Sequence, residues 1–502
     1  MKINNYWNLG VVLLLIVITG CSPKEKEYQK PNLLLIITDD QGYGDFSAYG
    51  GSPDAQTPNL DRIAQNGIRF TNAYVSMSIC SPSRCGILTG RQQQRWGVYS
   101  YASRLPKEEI TLAEQLKDAG YKTGMVGKSH YGDYGGPKGD GFPLNHGFDE
   151  FFGKEGGTID YIRHTAQSRE KFTKNMADHL GIGPFYSNDS LIDQHGYSTD
   201  LITNKALSFI DKNKNDPFFL MVSYNEVHLF THQLPDTALT RLGLEKVPDW
   251  DPEKGTWGEY LEWYVNTVKP NTPDGRKRYL WHLAQLDNSV GKIMSKLESH
   301  KLTDNTLIVY VSDNGGSPRT YAENFPLRGN KYILEEGGIR VPMLMSWPGK
   351  IKSGEIYDPM VSALDIFPTV HNLLGLTMPT DREYDGVNLI PFLSGENVGN
   401  PHQSLCWTGF SLQGKPHIYE DSNSAIARHD QTIHGDMNGW AIREGKWKLR
   451  YEGSYNNYCL YDISTDIGEK NNVAAKHPEL VKQLTQKFNK WHDHIKPKKE
   501  DK

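Results

Sequence analysis

The chain has few cysteines and no large excess of either charge. Its 502 residues include only five cysteines, and the formal net charge at pH 7 is −5. A small scaffold held together by many disulfides is therefore excluded. The strongly basic face that nucleic-acid binding requires is missing as well, so no nucleic-acid partner is expected. With 37% hydrophobic and 23% charged residues, the composition is typical of a globular protein rather than a disordered or fibrous one.

Apolar runs long enough to cross a bilayer are also lacking. The longest run, LGVVLLLIVIT at 9–19, is short for a membrane span and predicts a signal peptide over 1–20. Residues 18–21 resemble a bacterial lipobox, which implies that Cys21 is lipidated and anchors the chain to a membrane. An ordinary cleavage site beside an incidental cysteine is the alternative. We expect a polar tether at 21–30 and an exported, lipid-anchored protein in the periplasm or on the outer membrane or cell surface of a Gram-negative bacterium.

Short apolar runs alternate with helical patterns over residues 31–395. Runs of nearly continuous apolar residues are typical of strands that are buried on both faces. They lie at 32–38, 122–127, 217–224, 305–313 and 341–347. Between them, apolar residues that recur every three or four positions predict amphipathic helices, most clearly from Leu283 to Leu297. This alternation predicts an α/β catalytic domain with a large, mostly parallel central sheet flanked by helices.

A different pattern begins after residue 395. The segments at 440–453 and 458–463 predict antiparallel strands, and residues 478–495 predict a closing amphipathic helix. We therefore expect a smaller C-terminal α+β subdomain over 396–502 that contains an antiparallel sheet. Cys406 and Cys459 both fall in this subdomain, and export would allow them to form a disulfide, although the sequence does not specify cysteine pairing.

Two acidic pairs follow predicted strands. Asp39 and Asp40 come directly after the first strand, and Asp313 and Asn314 follow the strand at 305–313. Ligands gather at the carboxyl ends of strands in an open parallel sheet. A set made only of oxygen ligands suits calcium or magnesium. Either pair alone could simply cap a helix or form a turn, but two such pairs favour a metal site.

Basic residues follow strands or glycine turns in the same way. Lys128 and His130 lie in GKSHYG, His228 follows the strand at 217–224, and Lys331 lies in PLRGNKY. Taken singly, each of these residues could be an ordinary surface residue. Together they predict a site in which an oxyanion is held between a metal ion and basic side chains that also move protons.

The segment CSPSR at 80–84, followed by LTGR at 88–91, matches the signature Cys-x-Pro-x-Arg and its glycine-punctuated helix start. Four further segments occur in the order of one family: DDQGYGD, GKSH, SDNGG and GGIRVP. The chain resembles the type I, formylglycine-dependent sulfatases of the alkaline-phosphatase-like superfamily. The resemblance begins at about Lys30 and continues to the end of the C-terminal subdomain. The resemblance implies that a formylglycine-generating maturation enzyme oxidises Cys80 to 3-oxoalanine. The hydrate of this aldehyde would act as the nucleophile. Arg84 would be part of the motif that the maturation enzyme recognises, and it would help to position residue 80 in the folded site.

The resemblance also implies roles for the other residues. Four of them would hold one calcium ion together with residue 80: Asp39, Asp40, Asp313 and Asn314. Lys128 and Lys331 would contact the sulfate and the hydrated aldehyde. His228 would protonate the leaving alcohol, and His130 would take a proton from the second hydroxyl. Cys85 is assigned no catalytic role, because its thiol can serve as a small buried apolar group.

The substrate implied by the resemblance is a sulfated carbohydrate. Specificity is expected in inserts at 157–172, 228–246 and 417–439, which are rich in His, Arg, Asp and aromatic residues. One alternative is a metal-dependent phosphomonoesterase or phosphodiesterase of the same superfamily, but such enzymes usually carry Ser or Thr as nucleophile. A non-catalytic, glycan-binding surface lipoprotein is the other alternative. Loss of a site residue would mark that protein, and all ten expected residues are present.

Overall fold

The computed structural model describes residues 30–99, 104–132, 135–172, 180–268, 273–409 and 438–497. The predicted signal peptide, Cys21 and the insert residues 417–437 lie outside these ranges. Sixteen strands are formed by the described residues: β1 Asn32–Thr38, β2 Ile68–Phe70, β3 Ala73–Tyr74, β4 Lys122–Lys128, β5 Glu150–Lys154, β6 Phe185–Ser187, β7 Ser190–Ile192, β8 Phe218–Ser223, β9 Thr306–Ser312, β10 Met343–Ser346, β11 Glu355–Tyr357, β12 Val361–Ser362, β13 Ser404–Gly409, β14 Gly439–Glu444, β15 Trp447–Glu452 and β16 Asn457–Asp462.

The helices cover both faces of the main sheet. The α-helices of the described residues are Pro58–Gln65, Cys80–Thr89, Leu112–Asp118, Ala166–Phe172, Ser198–Asn213, Asp236–Leu242, Trp257–Trp263, Gly275–Ser299, Glu336–Ile339, Ile366–Leu373, Ile390–Leu393 and Pro478–Ile495. A π-helical turn, Tyr264–Val268, continues the helix Trp257–Trp263. Within the described ranges, no helix combines the length and the apolar character needed to cross a membrane.

Ten strands form one central sheet in the order β11-β2-β10-β9-β1-β8-β4-β5-β6-β7. The strands from β9 to β5 in this order are parallel, whereas β10 and the edge strands β6 and β7 run antiparallel to their neighbours. The predicted mostly parallel α/β sheet is therefore confirmed, with β1 at its centre.

Residues of β1 alternate between two apolar cores. Leu33, Leu35 and Ile37 pack into one core, and Leu34 and Ile36 pack into the other. All five side chains are fully buried. Because side chains of a strand point alternately to opposite faces, this continuous apolar run is explained by helices that cover the sheet on both sides. The five strands predicted from such runs are all present.

The C-terminal sheet has four antiparallel strands in the order β13-β14-β15-β16. The helix Pro478–Ile495 packs on it, and the rings of Phe488 and Trp440 stack with centroids 4.2 Å apart. The predicted subdomain with an antiparallel sheet is confirmed, while its exact boundary stays a prediction.

The structure decides against the disulfide between Cys406 and Cys459 that the sequence left open. Both cysteines are buried free thiols. Cys406 lies on β13 and Cys459 on β16, which are the two opposite edges of the four-stranded sheet. Three strand spacings separate them by about 14 Å, whereas a disulfide needs Cα atoms within about 7 Å. Sheet order, which a pair of cysteines in a sequence does not reveal, decides this point.

Candidate active site

Parallel strands of the central sheet end at a common edge, and polar residues lie there. Asp39 follows β1, Asp313 follows β9, and Lys128 is the last residue of β4. The pairing of β1 with β9 continues to Thr38 beside Ser312, so the two strands end level with each other. The two acidic pairs predicted from separate parts of the sequence therefore meet.

Asp40 and Asn314 complete this acidic cluster. Asp40 has a left-handed backbone with φ 58°, a conformation in which Asp and Asn are enriched among residues other than glycine. Its N–H donates to Oδ1 of Asp313 at 3.2 Å, and Nδ2 of Asn314 donates to Oδ1 of Asp40 at 2.7 Å. Gly315 follows, where a Cβ would lie 1.8 Å from the carbonyl oxygen of Gly337. Only glycine fits at this position beside the cluster.

Cys80 begins the helix Cys80–Thr89, whose residues are all buried. The preceding residue, Ile79, is extended, and no side chain caps the helix. The first N–H groups of a helix lack intrahelical acceptors, and the helix dipole places partial positive charge at this end. The helix therefore favours negative charge that develops on residue 80.

Arg84 connects this helix to the strand ends. It is fully buried, and its Nε donates to Oδ2 of Asp313 at 2.7 Å. Its Nη1 donates to the carbonyl oxygen of Lys128 at 3.2 Å and to Oγ of Ser223 at 2.5 Å. Its Nη2 lies 3.8 Å from Oδ1 of Asp39. Arg84 thus holds the helix of Cys80 against the ends of four strands, β1, β4, β8 and β9.

Lys331 lies between the acidic cluster and Cys80. Its Nζ donates to Oδ1 of Asp40 at 2.6 Å and lies 3.8 Å from Sγ of Cys80. Nε2 of His228 lies 3.3 Å from the same Nζ and 3.7 Å from Oδ2 of Asp40. Lys331 and His228 therefore face the position of the predicted nucleophile together.

Lys128 and His130 occupy the other side of the cluster. Nζ of Lys128 donates to Oδ2 of Asp39 at 2.5 Å. The preceding Gly127 has φ 106°, and a Cβ there would lie 1.9 Å from a carbonyl oxygen of β8. His130 has φ 53°, and its ring approaches Gly157 so closely that a Cβ on Gly157 would lie 3.0 Å from it. The close packing around this segment thus holds His130 in a left-handed backbone conformation that is normally disfavoured.

Burial and positive charge set the ionisation of these groups. Burial, followed by the charge of Lys128, lowers the pKa of His130 well below its usual value. Burial, followed by the charges of Lys331 and Lys128, does the same to the pKa of His228. Burial also raises the pKa of the Cys80 thiol, against the opposing effect of the two lysines. A protonated thiol is a weak nucleophile, so unmodified Cys80 is poorly suited to attack a sulfate ester.

The oxygen-rich cluster fits a hard divalent cation. Within the described part of the chain, Oδ1 of Asp39 and Oδ1 of Asn314 are buried and have no hydrogen-bond partner. Two sets of three residues bring candidate ligand atoms within 4.8 Å of one another: Asp39, Cys80 and Asp313 in one, and Asp39, Asp40 and His228 in the other. Unpartnered buried oxygens need compensation, and calcium or magnesium coordinates such atoms.

Sequence reasoning missed two polar residues of this site. Ser223, the last residue of β8, accepts from Arg84 and donates to the Lys128 carbonyl oxygen at 2.5 Å. Glu226 is fully buried, and neither of its carboxylate oxygens has a hydrogen-bond partner among the described residues. Burial raises the pKa of Glu226 to about 8. The signal was present in SYNEV, where polar residues directly follow an apolar strand.

Comparisons with known proteins agree with this geometry. Residues 31–376 match the family model described as Sulfatase, and residues 329–494 match N-sulphoglucosamine sulphohydrolase, C-terminal. The chain is 34% identical over 393 residues to an Arylsulfatase of Hemicentrotus pulcherrimus, a match that covers 75% of this chain and 64% of that protein.

Two further similarities extend over nearly the whole chain. An N-acetylgalactosamine-6-O-sulfatase of Bacteroides thetaiotaomicron is 30% identical over 550 residues, covering 95% of this chain and 96% of that protein. A crystal structure of Ps i-CgsB in complex with k-i-k-neocarrahexaose superimposes with a TM-score of 0.74 at 30% identity, covering 92% of this chain and 93% of that chain. The similarity thus includes the C-terminal sheet as well as the residues around Cys80.

Proposed function

Because the chain belongs to the sulfatase family, we propose that it removes sulfate from a sulfated carbohydrate, using formylglycine formed from Cys80 and one calcium ion. Family membership makes the chain a sulfuric ester hydrolase. The carbohydrate part of the proposal is supported by two similar proteins, an N-acetylgalactosamine-6-O-sulfatase and a structure that holds neocarrahexaose.

The observation that carries the proposal is the position of Cys80 among buried charges. Oppositely charged side chains pair there: Asp39 with Lys128, Asp40 with Lys331, and Asp313 with Arg84. These three carboxylates and three cations balance one another, so a divalent cation would leave the site positive. Buried charge is costly unless it is paired, and an anionic ester beside residue 80 would supply the partner.

The metal site follows from the same cluster. Asp39, Asp40, Asp313 and Asn314 would hold calcium, and residue 80 lies close enough to contribute. When bound, calcium would supply positive charge that polarises a sulfate oxygen and makes a hydroxyl on residue 80 more acidic. The unpartnered oxygens of Asp39 and Asn314 support this assignment, since no side chain of the described residues satisfies them.

Residue 80 would react as formylglycine. The hydrate of its aldehyde supplies the hydroxyl that attacks sulfur. Lys331, with Nζ 3.8 Å from Sγ of Cys80, is placed to hold a sulfate oxygen beside it. Lys128 would bind from the opposite side and offset charge that spreads over the sulfate oxygens. The uncapped helix N-terminus adds positive potential at the same place.

The two histidines would move protons at different atoms. His228, whose Nε2 lies 3.3 Å from Nζ of Lys331, would give a proton to the leaving alcohol. Because burial and the nearby lysines lower the pKa of His228, this role requires the ring to take up a proton when the anionic ester is bound. His130 would take a proton from the second hydroxyl of residue 80, so that sulfate is released and the aldehyde returns. A neutral imidazole is the form that can accept a proton, and the lowered pKa of His130 favours that form.

The proposal is tested on protein that has been co-expressed with a formylglycine-generating enzyme. Mass spectrometry of the tryptic peptide that ends at Arg84, with an aldehyde-reactive probe, reports the conversion of Cys80. Converted protein should hydrolyse 4-nitrophenyl sulfate or a sulfated oligosaccharide much faster than 4-nitrophenyl phosphate. Cys80→Ala, purified in the same way, should lose the aldehyde and the activity together. Converted protein that prefers the phosphate ester would contradict the proposal.

A further inference from the structure

A run of aromatic side chains leads outward from the catalytic cluster. Its inner member, Tyr332, is half-buried and packs against the small apolar cluster of Met77, Ile79 and Cys80. Nζ of Lys331 lies 5.4 Å from the centroid of the Tyr332 ring. Tyr332 therefore forms part of the wall beside residue 80.

A cation follows Tyr332 along this run. The guanidinium carbon of Arg319 lies 5.8 Å from the Tyr332 centroid and 5.9 Å from the centroid of Tyr264. Arg319 is partly exposed, whereas Tyr264 is buried. A guanidinium can rest on aromatic rings and still present a planar fork of N–H donors to an anion.

The outer part is a stack of three rings. Tyr264 stacks on Tyr260 with centroids 5.7 Å apart, and Tyr260 stacks on Trp257 with centroids 5.4 Å apart. Tyr260 is buried, but 55% of Trp257 is exposed. Trp257 is thus a large apolar surface at the outer end, held in place by the buried rings behind it.

These features suit a chain of sugars. The C–H faces of a sugar ring pack on aromatic rings and remove apolar surface from water. Arg319 suits a sulfate or carboxylate on a neighbouring sugar, because the guanidinium matches such oxyanions with two parallel hydrogen bonds. The aromatic contacts continue well beyond Tyr332, so one sugar whose sulfate reacts at residue 80 would cover only the inner end.

We propose that Trp257, Arg319 and Tyr332, with the buried rings of Tyr260 and Tyr264 supporting Trp257 from behind, bind sugar units next to the one that loses its sulfate. This inference rests on the proposed function, and it makes an anionic oligosaccharide, rather than a single sugar, the preferred substrate. Trp257 supplies a platform for an outer sugar, and Arg319 binds an anionic group on a sugar between Trp257 and residue 80.

The test compares chain lengths with converted enzyme. The probes are 4-nitrophenyl sulfate and two series, neocarra-oligosaccharides and chondroitin 6-sulfate oligosaccharides, each from disaccharide to hexasaccharide. With at least one series, kcat/KM should be about tenfold higher for the hexasaccharide than for the disaccharide. Trp257→Ala should reduce this ratio to near one, and Trp257→Phe should keep most of it. Arg319→Gln should raise KM for the hexasaccharide more than it lowers kcat.

A matched control is Ile356→Ala, since Ile356 is 53% exposed and lies on the edge strand β11. It should leave the length ratio unchanged. A wild-type ratio near one, or a Trp257→Ala variant that keeps the full ratio, would overturn the inference. Cleavage of 4-nitrophenyl sulfate with no cleavage in either series would also overturn it while leaving the sulfatase activity in place. Failure of converted protein to cleave any of the probes would instead count against the proposed function.

Discussion

The molecule contains two clusters of buried charge, and the segment from Lys331 to Glu336 connects them. Lys331 belongs to one cluster and Glu336 belongs to the other. One is the catalytic cluster around Cys80. The other, which we call the interface cluster, connects the main domain to the C-terminal sheet. Its members are Arg328, Glu335, Glu336, Lys448, Arg450 and Glu469. The charges of the interface cluster pair with one another, whereas a charge of the catalytic cluster also contacts Cys80.

In the interface cluster, each carboxylate is bridged by cations from different segments. Glu336 and Glu469 share Lys448, at 3.0 and 3.2 Å, and Glu335 lies 3.1 Å from Arg328 and 3.2 Å from Arg450. These ion pairs join residues of the main domain to residues of the C-terminal sheet, so they fix the position of one relative to the other. Buried pairs of this kind favour one arrangement of the chain over others more than they add stability.

In the catalytic cluster, by contrast, the cations also face a reactive position. Lys331 contacts both Asp40 and Cys80, and Cys80 is the predicted nucleophile. Burial of charge alone therefore does not identify a site. A buried cation in contact with a potential nucleophile does.

Of the three substitutions that compare the two clusters, Asp39→Asn should have the largest effect on activity. The substitution keeps the shape of the side chain, but it removes one negative charge from the proposed metal ligands and from the ion pair with Lys128. We expect kcat/KM to fall by about a thousandfold or more. Calcium should raise the melting temperature of the wild type but not that of the variant. The control is Asp381→Asn, because the carboxylate of Asp381 is exposed. If the melting temperature of Asp39→Asn depends on calcium as that of the wild type does, Asp39 is not a metal ligand.

A smaller effect on catalysis, but a large one on stability, is expected for Lys448→Met. The variant leaves Glu336 and Glu469 buried without the cation that they share. Urea denaturation should show a loss of about 3–5 kcal/mol in the free energy of unfolding, with kcat reduced less than tenfold. Lys446→Met is the matched control, because Lys446 pairs with Asp462 at the surface and should cost less than about 1 kcal/mol. Loss of catalysis without loss of stability would mean that the interface cluster has a catalytic role.

The smallest effect on activity and stability is expected for Cys85→Ala, in the helix that begins at Cys80. Cys85 is fully buried, and burial raises the pKa of its thiol, so it is an unreactive apolar group. The variant should lose about 1 kcal/mol of stability and keep kcat per converted molecule, with conversion of Cys80 measured by mass spectrometry. A fall in kcat at equal conversion would extend the catalytic cluster to Cys85.

Local pattern predicted the main strands because buried parallel strands are nearly continuous apolar runs. The strand NLLLIIT at Asn32–Thr38 is an example, since all of its side chains are buried. Short strands such as Ala73–Tyr74 carry no such run and were not predicted. The sequence did not reveal the order of the strands, so it could not decide whether Cys406 pairs with Cys459.

The sequence by itself identified the residues that meet at one edge of the sheet around Cys80. CSPSR at 80–84 and the polar residues that directly follow apolar strands are local patterns, and parallel strands bring their carboxyl ends to one edge. Only the tertiary structure decided that Arg84 joins the helix to Asp313, and that Arg319 lies near the rings of both Tyr264 and Tyr332. These contacts join segments far apart in the chain. Their spacing depends on how helices and loops pack over the sheet, which no local pattern encodes.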